Sequence, residues 1–303
     1  MLLVEQLLNG LQYSALLFLL ASGLTLIFGI MGVVNLAHGS FYMVGAFAAA
    51  WATMNTGSLA FGALAAIVAA AAYGLVIERT IIRRLYRRSH LDQVLATLAI
   101  VFFTNELVTV LFGRSPILLP TPAWLATPVE ILPGLPYPLG RLLFIAIGAA
   151  VAVFMWLLIN HTRLGMLIRA GADDHDMVDA LGVRIGRLYT GVFVLGCALC
   201  GLAGLMTAPL LAVETGMGER VLISTFVVIV VGGVGSVRGA LAGALAVGMV
   251  DSLGRAYIPA LMDLLLPPSA AVSVAGALVS ASIYIFMAIV LLVRPRGLLP
   301  MRA

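Results

Sequence analysis

The chain has 303 residues, 62% of them hydrophobic and only 10% charged, and its mean hydropathy is +1.14. A water-soluble protein carries about a quarter of its residues as charged side chains, so 17 basic and 13 acidic residues cannot coat a globule of this size. Soluble domains are excluded, and an all-α polytopic transmembrane bundle is predicted. All 17 basic residues are arginine, which removes the P-loop lysine of an ATPase and any Schiff-base lysine. Two cysteines, Cys197 and Cys200, are too few for a disulfide framework.

A hydrocarbon core of about 30 Å takes about 20 apolar residues in helical form. Nine apolar runs approach that length: Leu7–Ile30, Ser40–Met54, Leu59–Ile77, Val94–Phe112, Leu142–Ile159, Thr190–Val213, Val221–Gly235, Gly239–Leu253 and Val272–Val293. Ser40–Met54, Val221–Gly235 and Gly239–Leu253 are short for full crossings, which gives eight to nine segments, some of them interrupted. Met1–Gln6 carries Glu5 and no positive charge, so the first run does not read as a signal peptide.

Arginines cluster on the cytoplasmic side of membrane proteins. Arg79, Arg83, Arg84, Arg87 and Arg88 fall in a loop at 78–93; Arg163, Arg169, Arg184 and Arg187 fall at 161–188; Arg294, Arg296 and Arg302 fall in the tail at 294–303. Two runs separate the first pair of clusters and four the second, so all three sit inside and the N-terminus outside. The outside segment Gly113–Arg141 holds seven of the 13 prolines, a density that forbids regular helix and predicts a structured external loop. The whole reads as one transmembrane domain.

Within Thr162–Val183, Gly171 interrupts the pattern, and Asp173, Asp174 and Asp176 follow where a second short helix begins. Carboxylates there satisfy free N–H groups and complement the helix dipole. Gly182 is placed to end that helix in the left-handed conformation. Met177, Val178 and Leu181 share a face while Asp179 stays wet. Two stubby helices with an apolar patch suit docking on another protein, against the alternative of an ordinary solvated loop.

Gly232-Gly-Val-Gly-Ser-Val-Arg-Gly239 is not a dinucleotide fingerprint, because Arg238 stands where the third glycine belongs. Gly232, Gly233, Gly235, Gly239 and Gly243 read as helix packing or a bend, since small residues let backbones approach in lipid. This stretch echoes Gly32-Val-Val-Asn35-Leu-Ala-His38-Gly39, and broken segments at matching positions point to a transport pathway. Cys197 and Cys200 lack further metal ligands and read as small buried hydrophobes. Asn105 and Glu106 lie mid-run, where polar groups are costly; a carboxylate there must face protein or water. Asn35 and His38 either line a pathway or cap a turn. No serine–histidine–aspartate set or carboxylate pair converges, so intramembrane hydrolysis has no support and the chain does not read as an enzyme.

The run Gly23–Ala46 around Asn35-Leu-Ala-His38-Gly39, the stretches Thr162-Arg-Leu-Gly165, Arg169-Ala and Ala180-Leu-Gly182-Val, and the glycines of Phe226–Gly243 resemble the permease family of bacterial branched-chain amino-acid ABC importers. The resemblance implies a multi-pass inner-membrane subunit with periplasmic N-terminus and cytoplasmic C-terminus. Its partners would be a second homologous permease, two cytoplasmic ATPases that bind the ATP and Mg, and a periplasmic substrate-binding protein; this chain itself would hold no cofactor. Arg163, Gly165, Arg169, Asp173, Met177, Leu181 and Gly182 would then belong to the segment that docks on the ATPase, and Asn35, His38, Asn105 and Glu106 are the candidate pathway residues. Gly171 and Asp179 stand where the family often has alanine. Cargo would be branched-chain or related small amino acids, with urea, short amides and small carboxylates as alternatives inside the family. An ion-coupled secondary transporter would need several intramembrane carboxylates, and Glu106 alone is thin support.

Overall fold

Backbone N–H and C=O groups find no water in lipid, so apolar runs of this length must satisfy them internally as helices. The computed structural model describes residues 2–86, 88–120, 122–173 and 175–299, apart from the side chains of residues 175, 176, 268 and 269. Arg87, Asp174, Arg302 and the Asp176 carboxylate, invoked above, lie outside the described residues. Chain order is α1 (Leu2–Met31), α2 (His38–Thr56), α3 (Leu59–Ile77), a π-helical turn (Glu78–Ile82), α4 (Arg83–Leu85), α5 (His90–Phe112) and α6 (Ala123–Ala126). An antiparallel hairpin of β1 (Pro128–Leu132) and β2 (Leu135–Pro138) follows. Then come α7 (Leu139–His161), α8 (Arg163–Asp173), α9 (His175–Ala180), α10 (Ile185–Thr207), α11 (Met217–Gly232), α12 (Val237–Leu265) and α13 (Pro268–Val293).

Among the described residues seven helical stretches are long and apolar enough to cross a membrane: α1, Leu59–Leu85, α5, α7, α10, α12 and the Ala270–Val293 part of α13. Of the three runs read as short, α2 and α11 remain outside this set, but α12 does not. Asp251, Arg255 and Pro259 break the apolar run without breaking the helix. Arg255 Nε donates to Asp251 Oδ2 at 2.7 Å one turn away, so the two charges travel as a pair. The arginine-rich loop expected at 78–93 is mostly helix, because α3 runs on through the π-turn to Leu85. Ser89 Oγ then accepts the Asp92 N–H at 3.2 Å and caps α5. The proline-rich segment folds into α6 and the hairpin, which turns at Gly134 with φ of +79°.

The described residues form two compact units, one of residues 2–18, 122–151 and 224–299, the other of 19–120 and 152–223. In the first, α11 and α12 touch backbone to backbone: a Cβ on Gly232 would overlap the Gly239 carbonyl, and one on Gly243 the Val228 carbonyl. Gly233 and Gly235 make the bend between them at φ of +109° and +82°. These five glycines therefore pack and turn, as small residues do in lipid. The hairpin is anchored to α1, where Asn9 Oδ1 accepts from Tyr137 Oη at 3.0 Å and Arg141 Nη1 at 2.6 Å.

In the second unit α2, α3 and α10 pack against one another. Cβ atoms on Gly45 and Gly204 would run into the Gly201 backbone and the Tyr42 carbonyl, and one on Gly74 into Cys197 Sγ. Most of α2 from His38 to Thr53 is buried, with Trp51 near its end exposed.

Candidate functional site

The site is built by two helices that start half-way along a third. Gly196 is the midpoint of α10, eleven residues from Ile185 and eleven from Thr207. Gly23 of α1 packs on it, and a Cβ on Gly23 would lie 2.9 Å from the Gly196 carbonyl and 3.1 Å from His38 Cε1. From Gly23, α1 runs eight residues further to Met31, about 12 Å at helical rise. His38 is nevertheless the first residue of α2. Residues 32–37 therefore climb back along α1 without helix, and α2 begins level with the middle of α10.

The same happens at α11. Residues 208–216 leave the end of α10 and return, and α11 opens with Gly218 against Gly39, each lacking room for a Cβ because of the other's carbonyl. The first turns of α2 and α11 thus meet, each presenting N–H groups that have no partner within their own helix.

Non-helical backbone at this depth has to be satisfied by protein. Gln93 Oε1 accepts the Val34 N–H at 3.4 Å, while its Nε2 donates to the Leu85 carbonyl at 3.2 Å. Asn35 Oδ1 accepts the Ala37 N–H at 3.0 Å. On the other return, Ile117 and Val213 exchange two backbone hydrogen bonds of 2.9 Å.

Four polar side chains stand at the junction. Asn35 is fully buried, and its Nδ2 has no partner. His38 is fully buried; its Nε2 lies 3.0 Å from the Leu20 carbonyl, to which it donates, and 3.0 Å from Cys200 Sγ, and its Nδ1 has no partner. Asn105 Nδ2 donates to Glu219 Oε1 at 2.5 Å, leaving buried Oδ1 without a partner. Glu219 is in the first turn of α11, where the helix dipole favours a carboxylate.

Of the candidate pathway residues, Asn35, His38 and Asn105 are brought to the junction. Glu106, one residue on, turns to the exposed side of α5 with Phe102, Phe103 and Val110 and takes no part. Sequence reasoning missed Glu219, Gln93 and the contact of Cys200 with His38. Glu219 carried a signal, an acidic residue just ahead of the run at Val221, but nothing local told which helix it would meet.

The stretch 162–183 folds as the two short helices α8 and α9. Thr162 Oγ1 accepts the Gly165 N–H at 3.0 Å at the start of α8, and Arg169 donates to the Ile159 carbonyl. Gly165 is buried where a Cβ would overlap the carbonyls of Leu158 and Ile159. Gly171 does not interrupt α8, which continues to Asp173; it is buried near Ile30 and Leu188. Gly182 ends α9 with φ of +85°. Val178 faces inward rather than sharing a patch with its neighbours, whereas Leu164, Met166, Met177 and Leu181 are exposed along with Arg163, Arg169 and Asp173.

Between this segment and the end of α1 is a cavity of about 590 Å³, lined by Phe28–Gly32, Arg83, Arg84, Tyr86, Asp179 and Tyr189, among others. At its rim a buried carboxylate, Glu78, accepts from Tyr86 Oη at 2.7 Å and Thr190 Oγ1 at 2.9 Å. Burial, and then the Glu78 carboxylate, push the Tyr86 phenol well above its usual range.

A bundle of membrane-length helices with two shorter ones that begin at mid-depth after non-helical returns is an architecture that transporters use. The family described as "Branched-chain amino acid transport system / permease component" matches residues 6–293, and the chain belongs to it. It is therefore a multi-pass membrane protein of a permease family. The high-affinity branched-chain amino acid transport system permease protein LivH of Escherichia coli K12 is 29% identical over 268 residues, covering 84% of this chain and 87% of LivH. BraD of Pseudomonas aeruginosa, of the same description, is 29% identical over 83% of this chain and 86% of its own. A probable branched-chain amino acid transport permease protein LivH of Methanocaldococcus jannaschii is 27% identical over 81% and 79%. No solved structure matches the chain.

Proposed function

We propose that the chain is the permease subunit of a binding-protein-dependent ABC importer for branched-chain or related small amino acids. It would sit in the inner membrane with its N-terminus periplasmic and its C-terminus cytoplasmic. A second homologous permease, two cytoplasmic ATPases and a periplasmic binding protein complete the assembly. ATP and Mg belong to the ATPases, and this chain contributes no cofactor and no covalent chemistry.

The observation that carries the reading is the segment 162–183. It holds four exposed apolar side chains, Leu164, Met166, Met177 and Leu181, among charged ones, on helices braced against the end of α1 and the start of α10 through Gly171. An ATPase gripping α8 and α9 would push on Ile30 and Leu188. From Ile30 the push continues into residues 32–37 and the first turn of α2, so that nucleotide-driven motion reaches the junction through packed side chains. The proposed orientation rests on arginine: 13 fall in the segments taken from the sequence as cytoplasmic and four in those taken as periplasmic.

The test is reconstitution of the whole assembly in proteoliposomes with L-leucine as cargo. Import should require the binding protein and ATP together and stop without either. Leucine uptake by the chain alone, driven by a proton or sodium gradient, would overturn the importer reading.

A further inference from the structure

The junction of α2 and α11 has an unusual inventory of unmet hydrogen-bonding capacity. One buried donor, Asn35 Nδ2, lacks a partner. Because Asn35 Oδ1 accepts the Ala37 N–H, the carboxamide lies at the start of α2, where the His38 and Ser40 N–H groups are taken by the Asn35 and Ala37 carbonyls and the helix dipole favours an anion. Two buried acceptors also lack partners. His38 Nε2 donates to the Leu20 carbonyl, so in the neutral ring Nδ1 is a bare lone pair; Asn105 Oδ1 is the other. Beside Asn105 stands the Glu219 carboxylate, held by Asn105 Nδ2 and adjoining Gly218, which touches Gly39. Buried polar groups without partners are costly and rare, and three occur within this one junction.

We propose that this junction holds the zwitterionic head group of an α-amino acid during passage: its carboxylate on Asn35 Nδ2 and the start of α2, its ammonium on Glu219 and Asn105 Oδ1. The pairing matches two orphaned atoms by sign, a donor at the positive helix end and the Asn105 oxygen beside the carboxylate. The side chain of the cargo takes no part, which fits a pathway whose selectivity is set before the substrate arrives. The proposal rests on the amino-acid reading above.

The discriminating variant is Asn35→Asp. It keeps an oxygen to accept the Ala37 N–H, so the turn survives, but replaces the donor with a second carboxylate that occupies the place of the cargo's own. Import of L-leucine by the reconstituted assembly should fall about tenfold or more, the effect of losing a charge-assisted hydrogen bond, while ATP hydrolysis stimulated by the loaded binding protein persists. Glu219→Gln, which retains the bond to Asn105, should lower import similarly; it carries the test if Asn35→Asp does not assemble. A merely structural role for Asn35 predicts near-normal import by Asn35→Asp, and that result, or normal import by Glu219→Gln, would overturn the head-group assignment alone. Absence of leucine import by the unaltered assembly would instead sink the amino-acid reading, and this proposal with it.

Discussion

Gly39 and Gly218 sit back to back, and neither leaves volume for a methyl group on the other. Neither has the positive φ that demands glycine for conformational reasons, so the requirement is one of space alone. Gly218→Ala should therefore cost about 1–3 kcal/mol through overpacking, read as a lowered unfolding temperature of the detergent-purified assembly. Gly276 in α13 has nothing within 4 Å of a Cβ, and Gly276→Ala should stay within about 0.5 kcal/mol of neutral. Equal effects at the two positions would count against the close approach. The residue scale also separates Asn105 from Glu106. Both are polar at membrane depth, which the sequence registers, but successive residues on a helix point about 100° apart. Only the placement of α5 decides that Asn105 turns in to Glu219 and Glu106 out.

At the scale of elements, α8 and α9 were largely legible. The glycine after α9 gives the stop of the second helix, and Gly182 takes the left-handed conformation, whereas Gly171, read as an interruption, lies within α8. What was not legible is how the face divides, because Val178 is drawn inward by tertiary packing while Met177 and Leu181 stay exposed. If those two enter a groove on the ATPase, Met177→Asp with Leu181→Asp places two charges in an apolar contact. Co-purification of the ATPase should then fall at least about tenfold with membrane insertion unchanged; full co-purification would remove these residues from the contact. The shorter helices α2 and α11 were visible as short apolar runs at Ser40 and Val221. That their first turns meet was invisible, since nothing local to Gly39 names Gly218, nearly two hundred positions away.

At the scale of the molecule, nine apolar runs and seven membrane-length helices are reconciled by α2 and α11. Each follows a non-helical return along its neighbour; if helix and return together make one passage, the parity inferred from arginine is kept. This predicts the sidedness of single-cysteine variants toward a membrane-impermeant maleimide. Glu130→Cys in β1 should label in intact cells, and His161→Cys at the end of α7 only after permeabilisation. Cys197 and Cys200 are fully buried and should stay silent. Reversed labelling would invert the topology.

Composition, apolar run length and arginine placement were enough to establish a helical membrane protein and to predict its orientation, because lipid imposes those constraints on each segment independently of the others. The site was a different matter. Asn35, His38 and Asn105 could be singled out as polar residues in apolar surroundings, yet Glu219 joined them only through the packing of glycine on glycine. Contacts of that kind depend on which helices the fold lays side by side, and a backbone approach permitted by the absence of a side chain leaves no mark in the sequence beyond a common residue.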